Sequence, residues 1–135
     1  MRLRFLPPRP EPLRRLTRAV IVTALDLAAR EVRRELRASV AHWSHVPDFR
    51  IERQDDDRRL VTTTDPVFLY QDLGTRPHLI RPRRKRALWW ATARHPVRLV
   101  RHPGTPAMRY TERIAGGMAG RLLAILNDAI AREVP

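Results

Sequence analysis

The sequence predicts an α+β fold: a long N-terminal helix and a C-terminal helix packed on a mainly antiparallel β-sheet, with extended, proline-bracketed arms. Three observations predict it. An amphipathic stretch free of proline and glycine runs over residues 13–43. Short alternating segments, broken by Pro, Gly and Asp, fill the middle of the chain. Helical periodicity then returns over 108–133. Helices set at the two ends of a run of strands mark an α+β domain. A chain of 135 residues suits one domain, 1–135. Such a domain buries roughly 65–70% of its unfolded surface, enough for one modest core.

Residues 3–6 are apolar enough for a short strand, and Pro7, Pro8, Pro10 and Pro12 predict an extended lead-in. Ile21, Leu25, Ala28, Val32, Leu36, Val40 and Trp43 then recur at steps of three and four, one stripe of a long helix. Arg30, Glu31, Arg33, Arg34 and Arg37 mostly take its other side. Pro47 ends that region. Residues 48–54 and 59–64 alternate as two strands around the polar turn Asp55-Asp56-Asp57, a hairpin. Residues 67–73 make a short element, either helical turns or a strand. Gly74-Thr75 is a turn. His78 to Arg81, bracketed by Pro77 and Pro82, suits an edge strand or an extended arm. Residues 87–92 and 97–101 read as two further strands, and 102–106 as a rigid loop. In the last helix Met118, Leu122, Ile125 and Ala129 share a face, widened by Leu126 and Ile130 and loosened near Gly116-Gly117.

The charge narrows the function. The formal net charge is +13, so the chain calls for an acidic partner: nucleic acid, an anionic surface or an acidic protein. All but one of the 27 basic residues are arginine, a bias that GC-rich coding also produces. The charge is concentrated. From Gly74 to Tyr110 there is no Asp or Glu, yet Arg76, Arg81, Arg83, Arg84, Lys85, Arg86, Arg94, Arg98, Arg101 and Arg109 all fall there. Cysteine is absent, which excludes disulfides, thiolate metal sites and cysteine nucleophiles. The N-terminus lacks the apolar core of a signal peptide. No run approaches the ~20 apolar residues that span a bilayer, and no membrane partner is expected.

The residues of catalysis are missing. There is no glycine-rich phosphate loop, no G-x-S-x-G elbow and no H-E-x-x-H. Ser39 and Ser44 have no base and orienting carboxylate nearby. His42 and His45 could share a helical face, but no third ligand accompanies them, and solvated histidines near a helix end are the commoner outcome. The three aspartates at the hairpin tip fit no calcium loop. No metal, cofactor or enzymatic activity is expected. Trp89 and Trp90 follow the basic run directly. An aromatic beside arginines can stack on bases. The simpler expectation sends one tryptophan to the core and the other onto a sheet face, because alternation on a strand points them to opposite sides.

Residues 64–105 carry a resemblance. Tyr70-Gln-Asp-Leu-Gly-Thr-Arg-Pro-His-Leu-Ile-Arg-Pro82, a basic spacer, the apolar Leu88-Trp89-Trp90 and then Val100-Arg-His-Pro-Gly-Thr105 together resemble the central motif of the neck, or tail-completion, family of long-tailed bacteriophages. In that family an acidic-apolar-Gly-Thr turn leads through Pro-His-x-Ile-x-Pro into a strand, and a second turn reads His-Pro-Gly-Thr. This chain carries Trp90 where members often have phenylalanine, and Pro106-Ala-Met-Arg-Tyr110 where many have Pro-Phe.

The resemblance implies a structural virion protein that forms part of a ring-shaped neck, as head–tail connector, tail-completion or tail-terminator subunit. It would join head to tail and line the DNA passage. The implied partners are further copies of the chain, neighbouring neck and tail-tube proteins, and DNA in the channel held without sequence preference. The implied location is the virion neck, and the host cytoplasm before assembly. The expected interface residues are Tyr70, Asp72, Gly74, Thr75, Arg76, Pro77, His78, Ile80, Pro82, His102, Pro103, Gly104 and Thr105. The expected contacts to DNA or an acidic partner are Arg81, Arg83, Arg84, Lys85 and Arg86. The competing reading is a stand-alone basic nucleic-acid-binding protein.

Overall fold

The computed structural model describes residues 10–133, with side chains over 18–132. The strand expected over 3–6 lies outside the described residues. The element order is α1 (Pro10–Ser39), β1 (Arg50–Asp55), β2 (Arg58–Thr62), α2 (Pro66–Leu73), β3 (His78–Ile80), β4 (Val100–His102) and α3 (Tyr110–Glu133). The architecture is α+β, with the long helices at the two ends of the chain. The strands form two separate two-stranded antiparallel sheets, β1–β2 and β3–β4, where one sheet was expected. The chain divides into two compact units: one comprises the segments before Asp65 and after Arg109, and the other is Asp65–Arg109.

In the first unit α1 and α3 pack antiparallel. Val20, Ala24 and Ala129 form a buried cluster, with Ile125 and Leu126 packed against it. Farther along α1, Arg121 of α3 pairs with Glu31 (3.4 Å) and Glu35. The α1 helix begins at Pro10, earlier than proline content suggested, because proline is tolerated in a first helical turn where its missing N–H has no partner to lose. Ala28, Leu36 and Val40 of the expected stripe are buried. Val20 and Ala24 are more buried than Ile21 and Leu25, so the contact face sits one residue to the side of the sequence pattern. Phe49, Val40 and Pro47 are the most completely buried large side chains.

The β1–β2 hairpin pairs Arg50 with Thr62 and Glu52 with Leu60, with an irregularity between Arg53 and Asp55. It is tied to α1 by ion pairs. Arg59 Nε donates to Asp26 Oδ1 at 2.5 Å, and Arg18 Nε donates to Asp56 Oδ2 at 2.6 Å. Arg53 also donates to Asp56. Those two guanidinium groups hold the Asp56 carboxyl below its usual range.

The α3 helix runs unbroken through Gly116 and Gly117, where loosening was expected. Its buried or half-buried residues are Tyr110, Ile114, Met118, Leu122, Ile125, Leu126 and Ala129, while Ile130 is exposed. By length and composition Tyr110–Arg132 is long and apolar enough to cross a membrane, with mean hydropathy 1.3 over its most apolar window. That corrects the expectation that no run approaches this length: alanines, glycines and isolated charges conceal it in the sequence.

Candidate assembly interface

The second unit opens with α2. Asp65 caps it, its carboxylate accepting from the Phe68 N–H at 2.9 Å, and Pro66 sits in the first turn. Of the two forms that residues 67–73 allow, helical turns or a strand, the chain adopts the helix. It ends at Gly74, whose φ of +73° lies in the region L side chains avoid. A Cβ at Gly74 would lie 2.7 Å from the Thr105 carbonyl oxygen and 2.8 Å from the Ala107 nitrogen. Gly104, with φ +90°, is its counterpart, and a Cβ there would fall on the Thr75 carbonyl oxygen.

The two Gly-Thr turns, 30 residues apart in sequence, meet. Thr75 N–H donates to the Thr105 carbonyl (2.9 Å), and Thr105 N–H donates to the Thr75 carbonyl (3.1 Å) and to Thr75 Oγ1 (2.9 Å). From this bridge the antiparallel pairing continues through His78↔His102, Leu79↔Arg101 and Ile80↔Val100. The two imidazoles stack with centroids 5.0 Å apart. Their Nδ1 roles are opposite: His78 Nδ1 donates to the Arg76 carbonyl (2.8 Å), and His102 Nδ1 accepts from the Gly104 N–H (3.0 Å). Each ring thereby braces its own turn.

Beyond Ile80 the ribbon loses its pairing and regains it once, at Leu88↔Val97. Seven residues separate Ile80 from Leu88, and two separate Val97 from Val100. The excess of five is the basic run: Arg81, Arg83, Arg84, Lys85 and Arg86 all lie in this excursion and all are exposed. Among the described residues none of the five forms an ion pair. The strands expected over 87–92 and 97–101 reduce to this bridge and to β4.

The tryptophan expectation fails with them. Trp89 is 68% exposed and Trp90 46%, so neither enters a core. Without a strand there is no alternation to turn one of them inward. Among the described residues, nine of the 14 exposed large hydrophobics belong to Asp65–Arg109: Val67, Leu69, Tyr70, Leu73, Leu79, Trp89, Trp90, Leu99 and Met108. That unit holds one third of the chain, so it carries more than its share of uncovered apolar surface.

The expected interface residues therefore separate. Tyr70, Arg76, Pro77, His78 and Pro103 are exposed and available. Gly74, Thr75, Ile80, Pro82, His102, Gly104 and Thr105 are half-buried, the turn residues among them shaping the ribbon. Asp72 is buried, and its main-chain carbonyl accepts from the Arg109 N–H at 3.1 Å, which makes it part of the unit's framework. Sequence reasoning passed over Leu73, 73% exposed, and Arg59, whose side chain is 3% exposed. An arginine in an alternating hairpin strand gives no sign of burial. Among the described residues no group of three or more His, Cys, Asp or Glu side chains is placed to hold a metal. Comparison with protein-family models, with curated proteins and with solved structures finds no match to this chain.

Proposed function

We propose that this chain is a structural subunit of the ring-shaped neck of a long-tailed bacteriophage, joining head to tail and lining the DNA passage. It acts by docking and carries out no reaction. The observation that supports this reading is the pairing of the two Gly-Thr turns. The residues behind the family resemblance, distant in sequence, build one braced ribbon whose far end displays five unpaired basic side chains and two exposed tryptophans. A scaffold that fixes apolar and cationic groups outward is suited to grip acidic protein surfaces and polyphosphate. The role places it in the virion neck, and in the host cytoplasm before assembly, with no membrane partner.

Size-exclusion chromatography with light scattering, on the chain alone and with a tail-tube protein, tests the reading. Closed rings or partner-templated rings are expected. A strict monomer under both conditions refutes it.

The second reading, a stand-alone nucleic-acid-binding protein, is favoured by one observation: both tryptophans are open to solvent beside the arginines, where bases could stack on them. It predicts tight DNA binding whose salt dependence weakens when Arg83, Arg84, Lys85 and Arg86 become alanine, by about one unit of slope for each phosphate that is no longer neutralised. Binding that ignores the four substitutions removes this reading.

A further inference from the structure

In the Asp65–Arg109 unit the β3–β4 ladder ends at Ile80↔Val100, and the residues between those two lie beyond it. This distal segment has fixed points of its own. Leu88 N–H donates to the Val97 carbonyl (2.7 Å), and Val97 N–H donates back to the Leu88 carbonyl (2.9 Å). Ala93 N–H donates to the Trp90 carbonyl (2.9 Å), which closes a turn. The tip over residues 89–96 is therefore held at its root and at its bend, with Trp89 68% exposed and Trp90 46%. Among the described residues neither indole has a ring, cation or hydrogen-bond partner. Cations stand on both sides of the tip. The five of the basic excursion precede it, Arg94 and Arg98 follow it, and all seven are exposed. Among the described residues none of the seven forms an ion pair. No carboxylate in residues 73–109 offsets them. The unit's two acidic residues belong to α2, where Asp65 is the cap and Asp72 is buried.

Seven uncompensated cations around two uncovered indoles discriminate between acidic partners. Protein interfaces are depleted of charge at their centre, whereas nucleic-acid interfaces are much more positively charged. A folded protein would have to gather seven carboxylates on one patch, while a nucleic acid carries a phosphate on every nucleotide. A lipid surface rewards buried apolar area. Apart from its indoles the tip holds only alanine, threonine, arginine, histidine and proline, which leaves little to bury in a bilayer. A duplex meets the cations but not the indoles. Its base faces are stacked on one another, and only base edges show in the grooves. A single strand meets both, because each unpaired base has a free face and stacking on an aromatic ring tolerates any sequence.

We infer that the distal ribbon is a grip for single-stranded nucleic acid. Unpaired bases stack on Trp89 and Trp90, and the phosphates to either side lie against the basic excursion and against Arg94 and Arg98. The inference rests on the nucleic-acid contact that both readings above give this ribbon, and it adds the form of strand that is held. Phosphate contact and stacking read no base edges, so the grip is indifferent to sequence. Duplex DNA has the denser row of charges, so electrostatics alone ranks it first. A preference for the single strand therefore reports the indoles.

The test is fluorescence anisotropy of the full chain with a labelled oligothymidylate and with a labelled duplex of equal length, at one salt concentration. The single strand is expected to bind at least about tenfold more tightly. Trp89→Ala with Trp90→Ala is expected to weaken single-strand binding by about tenfold or more and to leave duplex binding within about twofold. Trp89→Phe with Trp90→Phe, which keeps an aromatic face, is expected to recover most of the loss. Replacing Arg83, Arg84, Lys85 and Arg86 by alanine should lower the salt slope by about 0.7 for each phosphate no longer neutralised. All six side chains are exposed, so the variants are expected to keep the fold, which circular dichroism checks. A duplex bound as tightly as the strand, or strand binding unmoved by the tryptophan-to-alanine changes, overturns the grip while nucleic-acid contact stands. Polyglutamate or phosphatidylglycerol vesicles bound more tightly than the strand overturn it in favour of an acidic protein or a lipid surface. If neither strand nor duplex binds, the nucleic-acid contact itself fails, and the grip with it.

Discussion

Replacing Gly104 by alanine tests how the ribbon is held. At φ +90° any L side chain is strained, by about 1–2 kcal/mol for left-handed backbone. The new Cβ would also fall on the Thr75 carbonyl oxygen, with the Arg76 carbonyl carbon 3.0 Å and the Pro77 nitrogen 3.1 Å away, all of them backbone that cannot rotate aside. The ribbon end must part, and the two reciprocal Thr75–Thr105 hydrogen bonds break, at about 0.5–1.5 kcal/mol each. The expected destabilisation is about 2–5 kcal/mol. Because Asp65–Arg109 is a compact unit of its own, the loss should be local. Amide hydrogen exchange read by mass spectrometry should show faster exchange across residues 75–105 and unchanged protection in α1. Gly116→Ala is the internal control. That glycine lies within α3 with nothing within 4 Å of its would-be Cβ, so the same chemical change should stabilise by about 0.5–1 kcal/mol. Native-like protection at Thr75 and Thr105 in Gly104→Ala, or destabilisation by Gly116→Ala, would refute this reasoning.

Three further outcomes follow from the first unit and from α2. Asp26→Ala leaves the Arg59 guanidinium buried without its counter-charge, which should cost about 3–5 kcal/mol in urea denaturation. Arg59→Met leaves only Asp26, whose side chain is 43% exposed and reached by water, so it should cost clearly less; the reverse order would contradict the assigned burial. Asp56→Asn should destabilise at neutral pH. The folded carboxyl lies below its unfolded value, so its contribution is fully present above the unfolded value and disappears as pH falls through the folded one. The wild-type advantage should therefore shrink below about pH 4, and an advantage that grows there would count against the Arg18 and Arg53 contacts. Asp65→Ala removes the cap of α2 and should cost about 1 kcal/mol, seen as faster exchange at the Phe68 amide.

The helices and the first hairpin were legible because their signals are periodic and local. Residues 13–43 and 108–133 repeat every three or four positions, and an aspartate cluster marks the hairpin tip. The first helix was shifted slightly. Its alanines bury better than its larger neighbours, since small side chains let two helices approach closely. The middle strands form only in part. Apolar runs such as Leu88-Trp89-Trp90 look like buried strands, yet prolines and a five-residue excess on one side prevent continuous pairing. Burial of Arg59 was not legible at all, because it depends on Asp26, 33 residues away on another element. The two Gly-Thr turns were visible as motifs. Their pairing with each other was not, since nothing in either turn encodes a distance of 30 residues.

The unequal lengths on the two sides of the ribbon fix where the chain can change length without disturbing the turns. The basic side chains reside in an insert that the ladder steps over, closed at one end by Ile80↔Val100 and at the other by Leu88↔Val97. Doubling such a loop costs only about 0.6 kcal/mol of closure entropy. The insert can therefore be lengthened, shortened or recharged while the braced turns stay put, at little risk to folding.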